Sequence, residues 1–347
     1  MNRKDEHVSL ARAFHQKPKE NDFDAIHLMH SSLVNTRSED IDLSTEILGL
    51  KLSVPFYINA MTGGSEKTKK INHDLAIIAR ETNLMMATGS VSAALKDPNV
   101  ADSYTVVREV NPNGLILGNM GAGRTSDDAK KIVDLLQADG MQIHLNVPQE
   151  LVMPEGDRDF HEWSKNIEET IQQLTVPVIV KEVGFGMNRE TIQQLQELNV
   201  KAVDVSGRGG TSFSQIENAR RKKRELNYLD DWGQSTVISL LEAQKFDDLT
   251  ILASGGIRDA YDIFKALCLG AKAVGISATI LDELISHGID GAVEMIEDWK
   301  TQLQRLYLMT DKSTTADLIH NPIILSGSPR DWCQARGIDY KKLAVRH

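Results

Sequence analysis

The stretch VPVIVKEVGFGMNRETIQQLQELNVKAVDVSG (176–207) decides the fold. It begins with an apolar, β-branched run, continues through a segment of helical character (188–199), and ends in a second apolar run. Near-continuous hydrophobicity over so few residues is typical of a strand that is buried on both faces of a parallel sheet. The stretch therefore predicts one strand–helix–strand unit.

Six further apolar runs extend this pattern in both directions along the chain. Helical segments separate them, for example SDDAKKIVDLLQADG (126–140) and RDAYDIFKALCLG (258–270). Eight strand–helix units over about 230 residues approach the roughly 250 residues of a (β/α)₈ TIM barrel, an α/β fold that we predict, with a doubly wound open sheet as the alternative. The six runs are VPFYINAM (54–61), LMMATGS (84–90), GLILGNM (114–120), MQIHLNV (141–147), TILASGG (250–256) and AVGISATI (273–280).

The barrel, predicted over residues 54–310, has additions at three places. Residues 1–53 form an N-terminal extension, in which we expect a helix and an extended segment that packs on the barrel. A long insertion, TSFSQIENARRKKRELNYLDDWG (211–233), follows the sixth strand, and a connection of this length usually serves a function or an interface. Residues 311–347 form a tail with a terminal helix and a loosely ordered end. The whole chain, 1–347, is predicted to be a single domain.

The composition excludes several classes of protein. A formal net charge of −10 argues against broad nucleic-acid binding, so the basic run RRKKR (220–224) is interpreted as a solvated helix face or a subunit contact. Cys268 and Cys333, the two cysteines of the sequence, are too few for a disulfide scaffold. The polar N-terminus lacks the apolar stretch of a signal peptide, and no apolar run approaches the roughly 20 residues of a membrane span. We predict a cytoplasmic protein without nucleic-acid or membrane partners.

Polar side chains stand at the ends of nearly all the predicted strands. In barrel enzymes the chemistry lies at the carboxyl ends of the strands, whereas the barrel interior is packed with side chains. One polar strand end is ordinary as a turn or a helix cap, but a succession of them around the barrel indicates a shared polar ligand site. The residues are Asn59, Thr62, Ser90, Ser92, Asn119, His144, Asn146, Gln149, Glu150, Lys181, Glu182, Ser206, Ser254 and Ser277.

Phosphate binding is indicated by the Gly-rich ends of the last three strands, SGRGGT (206–211), SGGIRD (254–259) and GISA (275–278). Glycines leave backbone N–H groups unobstructed, and the loops after strands seven and eight often form a phosphate site in this fold. A helix that begins near Arg258 would add the positive end of its dipole. Each motif alone also fits a plain turn, but together they predict a phosphate site.

Lys181 is a charged residue near the end of a strand that should be buried. A charge there is costly unless it is paired or faces a polar cavity. Neighbours on a strand point to opposite faces, so Lys181 and Glu182 are not expected to pair. We expect Lys181 to face the ligand, and Glu182 to turn toward the layer between barrel and helices or toward a solvent gap.

The segment HLNVPQE (144–150) places imidazole, amide and carboxylate groups close together. His144 and Asn146 project from the same side of one strand, and Gln149 and Glu150 then fall at the barrel mouth. One carboxylate with substrate phosphates and waters is the usual way in which proteins hold Mg²⁺. The residues alone leave two interpretations of Glu150 open, a metal ligand and a surface residue.

Taken in order, these segments resemble the type 2, FMN-dependent isopentenyl-diphosphate isomerases. The most discriminating pair is HLNVPQE (144–150) with KEVGFG (181–186), and the resemblance covers nearly the whole chain in the order of the family. The other matching motifs are RKDEH (3–7), AMTGG (60–64), GS (89–90), GNMGA (118–122), DVSGRGGTSFSQIEN (204–218), SGGIRD (254–259) and GISA (275–278).

The resemblance implies the reversible isomerisation of isopentenyl diphosphate to dimethylallyl diphosphate, a 1,3-allylic proton shift in isoprenoid biosynthesis. Reduced FMN would act as the acid and base, NADPH would serve to reduce the flavin, and Mg²⁺ would bind with the diphosphate. The protein would then contribute orientation and electrostatics. The resemblance also implies a homo-oligomer, a tetramer or an octamer.

The resemblance assigns the predicted site residues to four groups. Glu150 matches the Mg²⁺ ligand, and the catalytic positions match Gln149, His144 and His7. The N-terminal cluster, which composition alone would assign to a frayed and solvated end, becomes a lid over the substrate. Substrate would be bound by Arg3, Lys4, Ser90, Ser92, Asn146 and Gln149. FMN would be bound by Ala60, Met61, Thr62, Ser90, Asn119, Lys181, Ser206, Thr211, Gly255, Gly256, Arg258, Ser277 and Ala278.

One position departs from the family pattern, and two other functions remain as alternatives. An Arg that reaches the diphosphate often follows GS (89–90), and Ser92 stands there instead; Lys96 could compensate for it. An FMN-dependent 2-hydroxy-acid oxidase needs a His base with a paired Arg after the seventh strand, and SGGIRD (254–259) contains no His. A non-catalytic flavin-binding protein would keep the Gly-rich loops but would have little use for HLNVPQE (144–150).

Overall fold

The computed structural model describes residues 3–14 and 20–346, and at Arg3 it describes the backbone alone. The N-terminal extension contains one α-helix, two short 3₁₀ helices (Asp22–Ala25 and Ser38–Asp40) and three short strands within these residues. The α-helix and the strands are α1 (Arg3–Phe14), β1 (Ile26–Leu28), β2 (Thr45–Ile47) and β3 (Leu50–Leu52). β2 and β3 form a hairpin, and Gly49 in its turn has a φ of 89°.

Eight parallel strands close into a barrel at the centre of the molecule, as the apolar runs predict. Each strand pairs with its neighbours in chain order, and the last pairs with the first, with Val274 opposite Phe56. Each of the eight predicted runs supplies one strand. The strands are β4 (Phe56–Ile58), β5 (Met86–Ala87), β6 (Ile116–Gly121), β7 (Gly140–His144), β8 (Val178–Lys181), β9 (Ala202–Asp204), β10 (Thr250–Ser254) and β11 (Val274–Ile276).

Helices connect the strands and cover the barrel. They are α2 (Glu66–Glu81), α3 (Ser92–Lys96), α4 (Asp102–Val110), α5 (Ser126–Leu136), α6 (Val147–Val152), α7 (Trp163–Gln173), α8 (Arg189–Glu197), α9 (Phe213–Arg220), α10 (Thr236–Glu242), α11 (Ala260–Cys268) and α12 (Ala278–Met309). The apolar face of each long helix packs inward; α8, for instance, buries Ile192 and Leu195. Within the described residues, no helix combines the length and the apolar character that a membrane span requires.

The hairpin of β2 and β3 closes the amino-terminal end of the barrel. Thr45 Oγ1 donates to the carbonyl of Lys272, just before β11, and Leu50 lies beside Gly140 at the start of β7. Ile47 is fully buried against the inward-facing side chains of the strands. With this end closed, the carboxyl ends of the strands are left to form a ligand site.

The C-terminal tail is ordered from residue 311 to Arg346, which corrects the expectation of a loose end there. It contains β12 (Ile323–Leu325), which pairs antiparallel with β1, and α13 (Gly327–Arg336). Arg336 forms an ion pair with the buried carboxylate of Glu242 at 2.9 Å, and Cys333 is fully buried. The sequence could not show these partners, because they lie far from the tail along the chain.

Candidate active site

One cavity of about 1410 Å³ opens at the carboxyl ends of the strands. Because parallel strands all end on the same side of a barrel, residues that are distant in the chain meet here. The predicted site residues with described side chains all line it, whereas the side chain of Arg3 lies outside the described residues. The lining residues include Lys4, His7, Ala60, Met61, Thr62, Ser90, Ser92, Asn119, His144, Asn146, Gln149, Glu150, Lys181, Ser206, Thr211, Gly255, Gly256, Arg258, Ser277 and Ala278.

A chain of hydrogen bonds between side chains crosses the floor of the cavity. It starts at the buried carboxylate of Asp204, which accepts from Asn59 Nδ2 at 3.1 Å. Asn59 Oδ1 accepts from Gln142 Nε2 at 3.0 Å, and Gln142 Oε1 accepts from Asn119 Nδ2 at 3.1 Å. The last link joins Asn119 Oδ1 to Nδ1 of His144 at 2.9 Å. The chain thus connects side chains from four strands.

The direction of this chain fixes the tautomer of His144. The Asp204 carboxylate accepts at the end of the chain, and each amide donates toward it and accepts from the next residue. Nδ1 of His144 therefore carries a proton, and Nε2 is left as an acceptor. Burial, with a further contribution from the ammonium groups of Lys181 and Lys4, lowers the pKa of His144 to about 3. At neutral pH, His144 is a neutral hydrogen-bond acceptor at the cavity wall.

Lys181 lines the cavity and Glu182 does not, as the alternation of a strand predicts. Lys181 Nζ donates to the carbonyl of Glu182 at 2.5 Å, and burial lowers the pKa of this ammonium group. The Glu182 carboxylate accepts from the backbone N–H groups of residues 183–185, and burial raises its pKa to about 7. Glu182 is buried, which excludes the second of the two expected positions, the solvent gap, and its carboxylate holds the loop after β8.

Glu217 on α9 is a fully buried carboxylate at the mouth of the barrel. Its Oε1 accepts from Gln149 Nε2 at 3.0 Å and lies 3.0 Å from Nε2 of His7 on α1. Gln149 Oε1 accepts from Asn146 Nδ2 at 3.2 Å, so both ends of the Gln149 amide are fixed. Burial alone would raise the pKa of Glu217, but the His7 imidazole beside it and the hydrogen bonds from Gln149 and Arg220 lower it overall. The ionised carboxylate therefore sets the orientation of Gln149.

Sequence reasoning missed Glu217, Gln142 and Asp204. A signal existed for each of the two strand residues: Gln142 lies two residues before His144 on β7, and Asp204 interrupts the apolar run AVDVSG (202–207). Strand alternation places such residues on the inner face with the other site residues. Glu217 lies within a motif that the resemblance included, but sequence alone does not distinguish a buried carboxylate from an exposed one.

Glu150 lies on α6 at the edge of the cavity. Its Oε1 accepts from Asn146 Nδ2 at 2.9 Å, and its Oε2 accepts from the backbone N–H of Asp157 at 2.8 Å. The described side chains include no group of three or more His, Cys, Asp or Glu residues that could hold a metal ion. Glu150 would therefore hold a metal together with a bound ligand and water, and not within a cluster of three or more such side chains.

The Gly-rich loops after β9 and β10 pack against each other without room for side chains, and we call them the cradle. A Cβ atom on Gly255 would lie 2.0 Å from the carbonyl oxygen of Gly207, and one on Gly256 would lie 3.0 Å from the backbone of Gly209. Thr62 Oγ1 is buried in the same cavity without a hydrogen-bond partner in the described part of the chain. Bare backbone beside an unsatisfied hydroxyl suits the phosphate and polar ring of FMN.

Replacing Gly255 by Ala is expected to weaken FMN binding about 10- to 100-fold, because the new Cβ collides with Gly207 and the φ of 94° disfavours a side chain. The affinity is measured by the quenching of flavin fluorescence on titration into apoprotein. Gly270→Ala is the matched control: its φ is 99°, but its Cβ would meet only side-chain atoms, at 3.7 Å or more. Equal FMN affinities in the two variants would contradict the role of the cradle in FMN binding.

Arg258 lies beside the cradle, but its guanidinium is already engaged. It binds Asp24 at 2.6 Å and Asp262 at 2.7 Å. Asn21 Nδ2, from the same N-terminal segment as Asp24, donates to the carbonyl of Gly256 at 2.9 Å. The segment after α1 therefore supports the cradle, and direct phosphate binding by the Arg258 guanidinium stays a prediction.

Ser92, which stands where the family often has an Arg, lies at the cavity wall, and Ser90 Oγ donates to its hydroxyl at 3.2 Å. Lys96, the predicted substitute cation, also lines the cavity and is exposed. Arg124 is a further cation at the wall, and its ion pair with Asp128 is long, at 3.7 Å. Lys96 and Arg124 both remain candidates to supply the positive charge that the family's Arg would place at the position of Ser92.

The basic run RRKKR (220–224) is not uniformly solvated, which corrects its interpretation as a solvated face. Arg220 is 12% exposed and binds carboxylates on three segments. Arg221 Nη1 donates to the carbonyl of Val152 at 3.0 Å, and its guanidinium pairs with Glu225. The remaining three side chains of the run are exposed, so the interpretation as a solvated face fits them alone.

Comparisons with known proteins show which families this chain resembles in sequence. The family model described as FMN-dependent dehydrogenase matches residues 124–321. The isopentenyl-diphosphate delta-isomerase of Latilactobacillus sakei subsp. sakei (strain 23K) is 51% identical, over 96% of this chain and 96% of that protein. The proteins of the same name from Listeria welshimeri and from Streptomyces sp. (strain CL190) are each 47% identical, over 99% of this chain and 97% and 95% of their own lengths.

Solved structures with similar folds are more distant in sequence. The flavin-binding domain of baker's yeast flavocytochrome b2 aligns with a TM-score of 0.64 at 21% identity, over 90% of this chain and 81% of that chain. A mandelate oxidase mutant aligns with a TM-score of 0.63 at 14% identity, over 92% of each chain. At these identities the likeness shows the fold alone.

Proposed function

Because the chain belongs to the isopentenyl-diphosphate delta-isomerase family, we propose that its cavity holds FMN at the floor and isopentenyl diphosphate at the mouth. The protein isomerises isopentenyl diphosphate to dimethylallyl diphosphate with FMN, a reaction of isoprenoid biosynthesis. One observation carries the assignment of the reaction site: the Gln149 amide is fixed at both ends, by Asn146 and by Glu217, beside the floor that suits the flavin.

The cradle and the floor supply the groups that FMN requires. When bound in its reduced form, FMN supplies the acid and base that move a proton between carbons of the alkene. Lys181 would add positive charge beside the ring, and NADPH would be needed only to reduce the flavin, since the reaction has no net redox change. The cradle with Ser206, Thr211, Ser277 and Ala278 would hold the phosphate and ribityl chain, and Ala60, Met61, Thr62, Ser90 and Asn119 would line the ring.

The diphosphate would bind between α1, which is the proposed lid, and the HLNVPQE segment. Lys4 on α1 supplies positive charge, and Asn146 supplies an amide at the opposite wall. Mg²⁺ on Glu150 would share the remaining negative charge of the diphosphate. His144 is neutral, so we propose that its Nε2 accepts a hydrogen bond from the bound ligands and orients them, instead of adding a charge.

Gln149 and His7 would face the alkene side of the substrate; Glu217 accepts a hydrogen bond from Gln149 and lies 3.0 Å from Nε2 of His7. An amide that is held at both ends keeps one orientation toward the reacting carbons, which lowers the entropic part of the barrier. The thiols of Cys268 and Cys333 take no part in the site. Both are fully buried in helices, and burial raises their pKa values to about 12 and about 11.

An anaerobic turnover experiment separates this isomerase from an oxidase. Enzyme whose FMN has been reduced once with dithionite is mixed with a large excess of isopentenyl diphosphate and Mg²⁺, without NADPH. An isomerase converts many equivalents of substrate per flavin and leaves the flavin reduced. No conversion by the reduced enzyme, while enzyme with oxidised FMN converts up to one equivalent and its flavin becomes reduced, would favour the oxidase.

Replacing Glu150 by Gln is expected to raise the Mg²⁺ concentration for half-maximal rate about 10- to 100-fold, because the ion loses its proposed protein carboxylate. Gln keeps the size of the side chain and an oxygen for the Asn146 hydrogen bond. Rates are measured over a Mg²⁺ titration at fixed substrate. Asp159→Asn, which changes an exposed carboxylate outside the cavity, is the control. An unchanged Mg²⁺ titration curve for Glu150→Gln would show that Glu150 is not a metal ligand.

We also propose that the protein works in the cytoplasm as a homo-oligomer, a tetramer or an octamer. Exposed apolar side chains on and near the small sheet of β1 and β12 support association, because isolated proteins seldom leave such groups in water. They include Met29, Leu33, Met309, Ile324 and Val345. Light scattering during gel filtration tests the proposal: a mass near that of one 38.5 kDa chain would contradict it.

A further inference from the structure

We propose that Arg220 is a positioning residue that latches α1 over the cavity and thereby fixes Gln149 for catalysis. Its guanidinium joins carboxylates from three segments of the chain. Nε binds Glu6 Oε2 on α1 at 3.1 Å, and Nη2 binds Glu155 Oε1 on the segment after α6 at 2.6 Å. Nη1 binds Glu217 Oε2 on α9 at 2.5 Å. The guanidinium therefore ties the lid to both sides of the Gln149 site.

One guanidinium is shared by the three carboxylates of this latch. Glu217 is fully buried, whereas Glu6 and Glu155 are 34% and 44% exposed. Burial would raise the pKa of Glu155, and the hydrogen bond from Arg220 reverses that effect. Without Arg220, the three carboxylates would lie close together without the guanidinium that they share, and breaking a buried ion pair by removing one partner is strongly destabilising. The expected response is that α1 moves away.

Glu217 connects the latch to the reaction site. One of its oxygens binds Arg220, while the other contacts His7 and Gln149. A lid that opens takes His7 with it, and a Glu217 side chain that has lost Arg220 is no longer held in one rotamer. In either case the Gln149 amide loses its fixed acceptor.

The latch and the proposed diphosphate contact lie on the same helical turn of α1, since Lys4 stands two residues before Glu6. Binding of the diphosphate at Lys4 and closure of the latch at Arg220 would therefore favour each other. This coupling to diphosphate binding rests on the proposed function. The contact between α1 and Arg220 does not depend on the proposed function.

The test uses Arg220→Gln in the FMN-loaded, reduced enzyme. We expect kcat/KM for isopentenyl diphosphate to fall about 100-fold, with a higher KM and a lower kcat, because lid and amide are both released. Tryptic cleavage after Arg12 on α1, followed by mass spectrometry, should become about 10-fold faster, because cleavage follows the open population. Lys222→Gln removes a charge from the exposed part of the same basic run and should behave as wild type.

A second variant and a pH profile separate positioning from a loss of folding. Glu6→Gln removes the charge that Arg220 binds on the lid helix and changes no residue of the barrel, so it should show the same two effects in weaker form. The groups around Glu217 that carry or can carry charge are Arg220, His7, Glu6 and Glu155. Removal of Arg220 raises the pKa of Glu217, so the acid limb of the pH–rate profile should move to higher pH.

Three results would overturn the latch. In the first, trypsin cleaves Arg220→Gln and Glu6→Gln at the wild-type rate. In the second, the kcat/KM values of both variants lie within two-fold of that of Lys222→Gln. In the third, the acid limb of the pH–rate profile of Arg220→Gln does not move. If wild-type enzyme itself failed to isomerise the substrate, the proposed function would fall, and the cleavage rates would still decide whether Arg220 holds the lid.

Discussion

With Lys181 replaced by Met, the enzyme is expected to lose about 100- to 1000-fold in kcat/KM for isopentenyl diphosphate. Lys181 is buried at the cavity floor, and its ammonium group would lie beside the flavin ring. A reduced flavin that carries negative charge is stabilised by a cation there, and burial strengthens the interaction because little water screens it. Met has a similar length and no charge, so the loss reports the missing charge and not a collapsed cavity.

The variant is measured by initial rates under anaerobic conditions and by the reduction potential of its bound FMN. Without the cation the potential should become more negative, because the reduced anion loses stabilisation. Lys201→Met, which changes an exposed lysine just before β9, is the control and should keep wild-type values. A Lys181→Met enzyme with an unchanged rate and potential would remove this cation from the mechanism.

Replacing Glu217 by Gln is expected to lower kcat about 100-fold or more, with FMN affinity nearly unchanged. The new amide lacks the charge that pairs with Arg220, and its NH₂ group donates where Gln149 and His7 require an acceptor. Glu217 lies at the mouth and not at the cradle, which is why flavin binding should survive. The variant is measured by single-turnover and steady-state rates beside an FMN titration.

The pH dependence of the wild type gives a second measure of Glu217. Its pKa in the folded protein is lowered, so its contribution is present above the ordinary pKa of a Glu and is lost only as the pH falls below that value. Glu225→Gln, which changes an exposed carboxylate in the same insertion, is the control. If Glu217→Gln matched this control within two-fold, Gln149 would not need the carboxylate.

The barrel could be predicted from the sequence because each buried parallel strand appears as a short, continuous apolar run. Runs such as VPVIVKEV (176–183) are apolar over the length of one strand, and the helices between them repeat with a helical period. The polar strand ends were predictable for the same reason, since a barrel brings the ends of all its strands together. Asn119, His144 and Lys181 meet in one cavity although the chain separates them widely.

Pairings between distant side chains could not be predicted in this way. Gln149 and Glu217 are separated by 68 positions, and nothing local to either residue indicates the other. The same holds for Arg336 and Glu242, which order the tail that was expected to be loose. A charge pattern such as RRKKR (220–224) likewise does not show which of its members turns inward.

The fold alone also leaves the chemistry open. The structures of flavocytochrome b2 and mandelate oxidase align with most of this chain, yet both proteins are named as redox proteins and not as isomerases. The isomerase assignment rests on residues of this cavity: the Gln149 amide lies between Asn146 and Glu217, and the seventh-strand loop, SGGIRD (254–259), carries no His. The site residues, not the barrel, therefore support a proton shift.

The central claim is a proton shift on reduced FMN, and proton NMR in deuterated water tests it most directly. Enzyme, FMN, NADPH, Mg²⁺ and isopentenyl diphosphate are incubated without oxygen, and the substrate signals are followed with time. The account predicts dimethylallyl diphosphate that carries deuterium, formed only when FMN and a reductant are both present. Product without deuterium, or product formed equally well without FMN, would contradict it.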